Sequence, residues 1–108
     1  MKIVDLLKRE SVELNGKVTS KPEAIEKMVA LMAAGGNLAD VEAYKKGVFA
    51  REEESTTGIG EGIAIPHAKT AAVKAPGLAA MVVKDGVDYD SLDGEPAKLI
   101  FLIAAPDT

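Results

Sequence analysis

The chain has 108 residues, 13 Lys and Arg against 17 Asp and Glu for a formal net charge of −4, and no cysteine. That length holds one domain with a single modest core, and the missing cysteine excludes disulfide scaffolds, thiolate zinc sites and thiol catalysis. Its aromatic residues are Tyr44, Phe49, Tyr89 and Phe101 and it carries no Lys/Arg stripe, so nucleic-acid binding is not expected and the core falls to Val, Ile, Leu, Met and Ala.

Ile3 to Lys8 reads as a short amphipathic stretch, and Ser11 to Leu14 alternates like a small strand. The first clear helix begins after Ser20, with Pro22 in its first turn and Glu23 at capping-box spacing. Ala24, Ile25, Met28, Val29 and Met32 recur at helical spacing, and Gly35-Gly36 ends the run. A second helix follows Asp40, with Val41, Tyr44 and Val48 as its apolar face and Glu42–Lys46 as an i,i+4 pair. Gly47 weakens it by about 1 kcal/mol relative to Ala.

From Arg51 to Gly62 the periodicity vanishes and the segment reads as loop, with Glu52-Glu53-Glu54 a solvated acidic turn. Ile63 to Ile65 and Leu78 to Val83 read as strands, the latter followed by an Asp85-Gly86 turn. Val87 to Tyr89 suggests a short return strand before a turn at Asp93-Gly94. Leu99 to Ile103 is a continuous apolar run, the pattern of a strand buried on both faces. Helices first and strands later predict an α/β layer structure. The apolar runs are too short to span a bilayer and no signal-peptide pattern is present, so the reading is cytoplasmic without membrane insertion. The chain stops at Pro106-Asp107-Thr108, directly after its most apolar strand, which suggests residues 1–108 are the N-terminal portion of a larger domain.

His67, the only histidine, ends the segment Ser55-Thr56-Thr57-Gly58-Ile59-Gly60-Glu61-Gly62-Ile63-Ala64-Ile65-Pro66-His67. A lone histidine is more often structural than catalytic, but three features reverse that here. Pro66 has no N–H for a ladder and so sets His67 at a strand end or edge. The glycines before it permit close backbone approach to a ligand. Hydroxyls from Ser55, Thr56, Thr57 and Thr70, with Arg51 and Lys69 as the nearest cations, suit an oxyanion beside a nucleophilic imidazole. Other chemistries fit worse. The glycine spacing is not a dinucleotide fingerprint, and Lys69-Thr70 lacks the upstream glycine of a phosphate-binding loop. One histidine without cysteine gives no zinc ligand set, and Ser55 lacks the strand-to-helix elbow of a serine hydrolase. No metal or cofactor is expected.

The segment from Arg51-Glu52 through Gly58 to His67 resembles the active-site segment of the fructose/mannitol class of IIA domains, components of the bacterial phosphoenolpyruvate-dependent sugar phosphotransferase system. The resemblance extends over the helices before it and over Lys84-Asp85-Gly86-Val87-Asp88-Tyr89 to Ala105 after it. It implies an α/β fold in which a mixed β-sheet is sandwiched by helices. It also implies that His67 accepts a phosphoryl group from the carrier protein HPr and passes it to a cysteine of a IIB domain during sugar uptake through IIC. Arg51 matches the family's arginine near the active histidine, and Ser55, Thr56, Thr57, Gly60 and Gly62 are candidate phosphate-binding residues. Lys84 to Tyr89 and Ser91-Leu92-Asp93-Gly94 look most like fructose-type members. The alternatives are the nitrogen-regulatory IIA paralogue, acting by protein binding, and an unphosphorylated interaction module of the same fold. The family's second histidine, beyond the strand matching Leu99–Ala105, has no counterpart in these residues. Glu52 to Glu54 are expected to point away from the phosphate.

Overall fold

The computed structural model describes residues 3–107, with the side chains of Ile3 and Val4, part of the expected amphipathic stretch, outside the described set. After a turn of helix, α1 (Ile3–Leu6), come β1 (Leu7–Glu13), α2 (Lys21–Ala34) and α3 (Val41–Glu54). Short strands β2 (Gly58–Gly60), β3 (Ile63–Ala64) and β4 (His67–Lys69) follow, then the long β5 (Gly77–Val87) and β6 (Ala97–Ala105).

Both long helices begin where their capping residues stand. Ser20 Oγ accepts from the Glu23 N–H at 3.2 Å, while Glu23 reaches back to the Thr19 N–H at 2.6 Å. Asp40 Oδ1 accepts from the Ala43 N–H at 3.1 Å. Gly35 caps α2, and Gly36 follows with φ +79°, a backbone conformation that favours glycine. The expected Glu42–Lys46 pair is replaced by Glu42–Lys45 at 3.3 Å. Half-buried Lys45 also meets Glu26 of α2 at 3.6 Å, because it sits where the two helices face each other.

The strands form one mixed sheet in the order β1-β5-β6-β3-β2, with β4 also paired to β6. β5 and β6 are antiparallel neighbours, whereas β1 runs parallel to β5, and β3 and β4 run parallel to β6. The predicted turn at Asp85-Gly86 lies inside β5, which carries its ladder on to Val87 opposite Ala97. Ala79, Met81 and Val83 of β5 and Ile100, Leu102 and Ala104 of β6 join α2 and α3 residues in one core.

β6 differs from the reading of a strand buried on both faces. Ile100, Leu102 and Ala104 are buried, but Leu99 and Phe101 are half-buried and Ile103 is 38% exposed. The reason is layering: among the described residues both long helices supply the core on one side of the sheet, and the opposite register, Leu78–Ile103, Ala80–Phe101 and Val82–Leu99, stays partly open.

Candidate functional site

The segment before His67 is more ordered than a loop. α3 continues through Arg51 to Glu54, and β2 and β3 form a small antiparallel hairpin. Its glycines admit another part of the chain. A Cβ on Gly58 would lie 2.5 Å from Ser91 Oγ, and one on Gly60, whose φ is +105°, would lie 2.9 Å from Asp93. The loop at 91–93 therefore packs flush against β2, joined by the Leu92 N–H to Gly58 carbonyl bond at 2.8 Å. Asp93 also accepts from the Glu61 and Glu95 N–H groups at 2.9 and 3.0 Å, which hold its carboxyl below the ordinary carboxylate range.

Pro66 divides what would be one strand into β3 and β4, both parallel to β6. His67 opposes Ile103, and Ala68 opposes Ala104 on the core side. The Ile103 N–H bonds the Pro66 carbonyl at 3.1 Å. The Ile65 carbonyl is instead taken by the His67 ring, with Nδ1 at 2.9 Å. A carbonyl only accepts, so Nδ1 carries the hydrogen, and in the neutral imidazole the lone pair is then on Nε2.

Beside β4 runs α3. Gly47, Ala50, Arg51 and Glu54, at i, i+3, i+4 and i+7, form one stripe along an open cleft of about 310 Å³. His67 and Lys69 form the other wall. Gly47 leaves room for this approach: a Cβ there would stand 3.4 Å from Ala68 Cβ. The Arg51 guanidinium donates to the Ser55 carbonyl at 2.9 Å, closing the helix C-terminus, with Ser55 Oγ at 3.5 Å.

The predicted site residues thus separate. His67, Arg51 and Lys69 share the cleft. Ser55 is the partner of Arg51. Thr56 Oγ1 donates to the Tyr89 carbonyl at 3.1 Å and accepts from the Gly58 N–H and from Lys21. The Thr57 hydroxyl is buried and donates to Glu52. Gly60 packs on Asp93, and Gly62 lines a different hollow with Glu61 and Lys98. None of Thr56, Thr57, Gly60 and Gly62 lines the cleft at His67.

The acidic run also departs from expectation. Glu54 lines the cleft, and Glu52 is only 9% exposed. One Glu52 oxygen meets Lys21 Nζ at 3.0 Å and the Thr57 N–H at 3.1 Å; the other takes the Thr57 and Tyr89 hydroxyls, the latter at 3.2 Å. Lys21 also lies over the Tyr89 ring, 4.7 Å from its centre. Burial, then the charge of Glu52, push the Tyr89 phenol above the ordinary tyrosine range. Tyr44, two stripe-steps back on α3, is buried too and donates to the Ile103 carbonyl at 2.7 Å, fixing β6 opposite His67. The spacing Tyr44, Val48, Glu52 (i, i+4, i+8) carried a signal for Glu52: it continues the buried stripe of the helix.

Among the described residues no helix is long and apolar enough to cross a membrane. The family model described as phosphoenolpyruvate-dependent sugar phosphotransferase system, EIIA 2, matches residues 5–108. A fructose-specific EIIABC component from Bacillus subtilis is 51% identical over 99% of the chain, which spans 17% of that protein's length. The nitrogen regulatory protein IIA-Ntr of Neisseria meningitidis superposes with a TM-score of 0.87 at 32% identity, covering 96% of this chain and 70% of its own. The mannitol IIA in a complex with phosphorylated IIB from Escherichia coli gives 0.83 at 27%, covering 95% and 74%.

Proposed function

Because the chain belongs to the EIIA 2 family of the phosphoenolpyruvate-dependent sugar phosphotransferase system, we propose that it is a phosphocarrier domain acting through His67 Nε2. The observation that carries this is the Nδ1–H bond to the Ile65 carbonyl, which leaves Nε2 as the free nucleophile of the ring. The donor is the phosphohistidine of HPr. Its P–N bond breaks as the His67 Nε2–P bond forms, and the HPr imidazole leaves neutral. The His67 ring, substituted on both nitrogens, becomes cationic, and its remaining N–H bond to Ile65 stabilises that charge. Arg51 across the cleft, and Lys69 on the same wall as His67, offset the charge of the phosphoryl oxygens. A IIB cysteine thiolate then attacks phosphorus, the P–N bond breaks, and neutral His67 returns.

The likeness to a IIA solved with phosphorylated IIB supports IIB as recipient. The 51% identity to a fructose-specific protein, against 32% to a nitrogen regulatory one, favours fructose uptake over regulation. The test is intact mass and peptide mapping after incubation with phosphoenolpyruvate, enzyme I and HPr. The wild-type chain gains one acid-labile phosphoryl group on His67, and His67→Ala gains none while keeping its melting curve. Label on another residue, or no label on the wild type, defeats the reading. Arg51→Ala slows uptake without unfolding the chain.

A further inference from the structure

We propose that Glu52, which plays no part in the transfer chemistry above, is the positioning residue for Arg51; the role in transfer rests on the phosphocarrier reading. Arg51 and Glu52 both fold back from the last turn of α3 onto the segment that leaves it, at different points. The Arg51 guanidinium holds the Ser55 carbonyl at 2.9 Å. Glu52 holds the backbone N–H and hydroxyl of Thr57, two residues further on. Ser55 and Thr57 are therefore fixed together, and the carbonyl that aims Arg51 is only as steady as the carboxylate that anchors Thr57.

That carboxylate is well anchored. Lys21 at the start of α2 and Tyr89 beyond β5 each take one of its oxygens, so with Thr57 three separate pieces of chain converge on it. Lys21 and Tyr89 each hold Thr56 as well, through its hydroxyl, so the whole exit from α3 is clamped. None of these groups lines the cleft that His67 and Arg51 share. A charge this buried, with every partner on the α3 exit or its flanks, fits alignment of that exit better than it fits binding.

The experiment compares the wild-type chain with Glu52→Gln, Arg51→Ala and the double variant, and reads two quantities. The first is the nitrogen-15 relaxation of the Arg51 side-chain N–H. In Glu52→Gln its order falls, while the backbone spectrum of β5 and β6 is unchanged. The second is the rate of phosphoryl uptake from HPr. Glu52→Gln slows it about tenfold, as expected for a displaced charge-stabilising group, yet adds no further loss when Arg51 is already Ala. Unchanged Arg51 order in Glu52→Gln overturns the proposal. So does an equal fold-loss in both backgrounds, which marks general destabilisation. Should Glu52→Gln fail to fold, Tyr89→Phe removes one hydroxyl from the carboxylate and is read the same way. If the wild type takes up no phosphoryl group, the phosphocarrier reading falls and the Arg51 order decides this inference alone.

Discussion

Glu52 and Glu54 are the same residue type, two positions apart on α3, and their surroundings are opposite. Two residues turn a helix by about 200°, so one carboxylate faces the core and the other the cleft. Glu52 is enclosed by Lys21, Thr57 and Tyr89, and Glu54 stands in solvent beside Arg51 and His67. The contrast teaches that charge on this helix does two jobs according to face. On the inner face it organises the chain, and on the outer face it contributes to the potential of the open cleft.

Substitution separates the two jobs, and the largest effect belongs to the inner face. Removing Glu52 by Ala strands a lysine, two hydroxyls and a backbone N–H, and costs about 3 kcal/mol. Glu54→Ala, exposed and without a comparable partner set, stays within about 0.5 kcal/mol. Denaturant titration of both variants measures the difference, and equal losses would break the comparison.

A pH scan sharpens it further. Burial raises both the Tyr89 and Tyr44 phenols, so the folded chain keeps these protons after the unfolded chain has begun to release them. Their contribution is intact below pH 10, the ordinary tyrosine value, and is lost as pH rises beyond it. Unfolding free energy measured from pH 8 to pH 11 falls on the alkaline side. Tyr44→Phe gives a shallower fall, and a slope identical to wild type would show that Tyr44 does not contribute. A further effect lies on the cleft face. Gly47→Ala gains about 1 kcal/mol from helix propensity, since the new methyl meets Ala68 at ordinary contact distance. A loss of stability there would mean that the closeness of α3 and β4 depends on the missing side chain.

Much of this was legible in the residues. Ser20, Asp40 and Gly36 announce helix ends through local hydrogen bonding and backbone conformation, and they hold those places. The long strands were found from apolar runs, although the joint at Asp85-Gly86 turned out to lie within β5. His67 and Arg51 stood out by residue type and do share the cleft. What stayed hidden depends on partners distant in sequence. Glu52 reads as a solvated acid until Lys21 and Tyr89, 31 and 37 positions away, arrive beside it. The glycines from Gly58 to Gly60 read as room for a ligand until the loop at 91–93 fills that room. The half-open side of β6 likewise follows from where the helices lie, which an apolar run does not encode.

The tether from the His67 ring to Ile65 spans three residues and uses no atom from elsewhere in the fold. On the phosphocarrier reading it leaves one doorway for traffic in both directions. Whichever protein delivers the phosphoryl group and whichever removes it must face the same nitrogen, so the two visits exclude each other in time. The domain then works as a turnstile, and an excess of either visitor in its unphosphorylated form slows passage by standing in the way of the other.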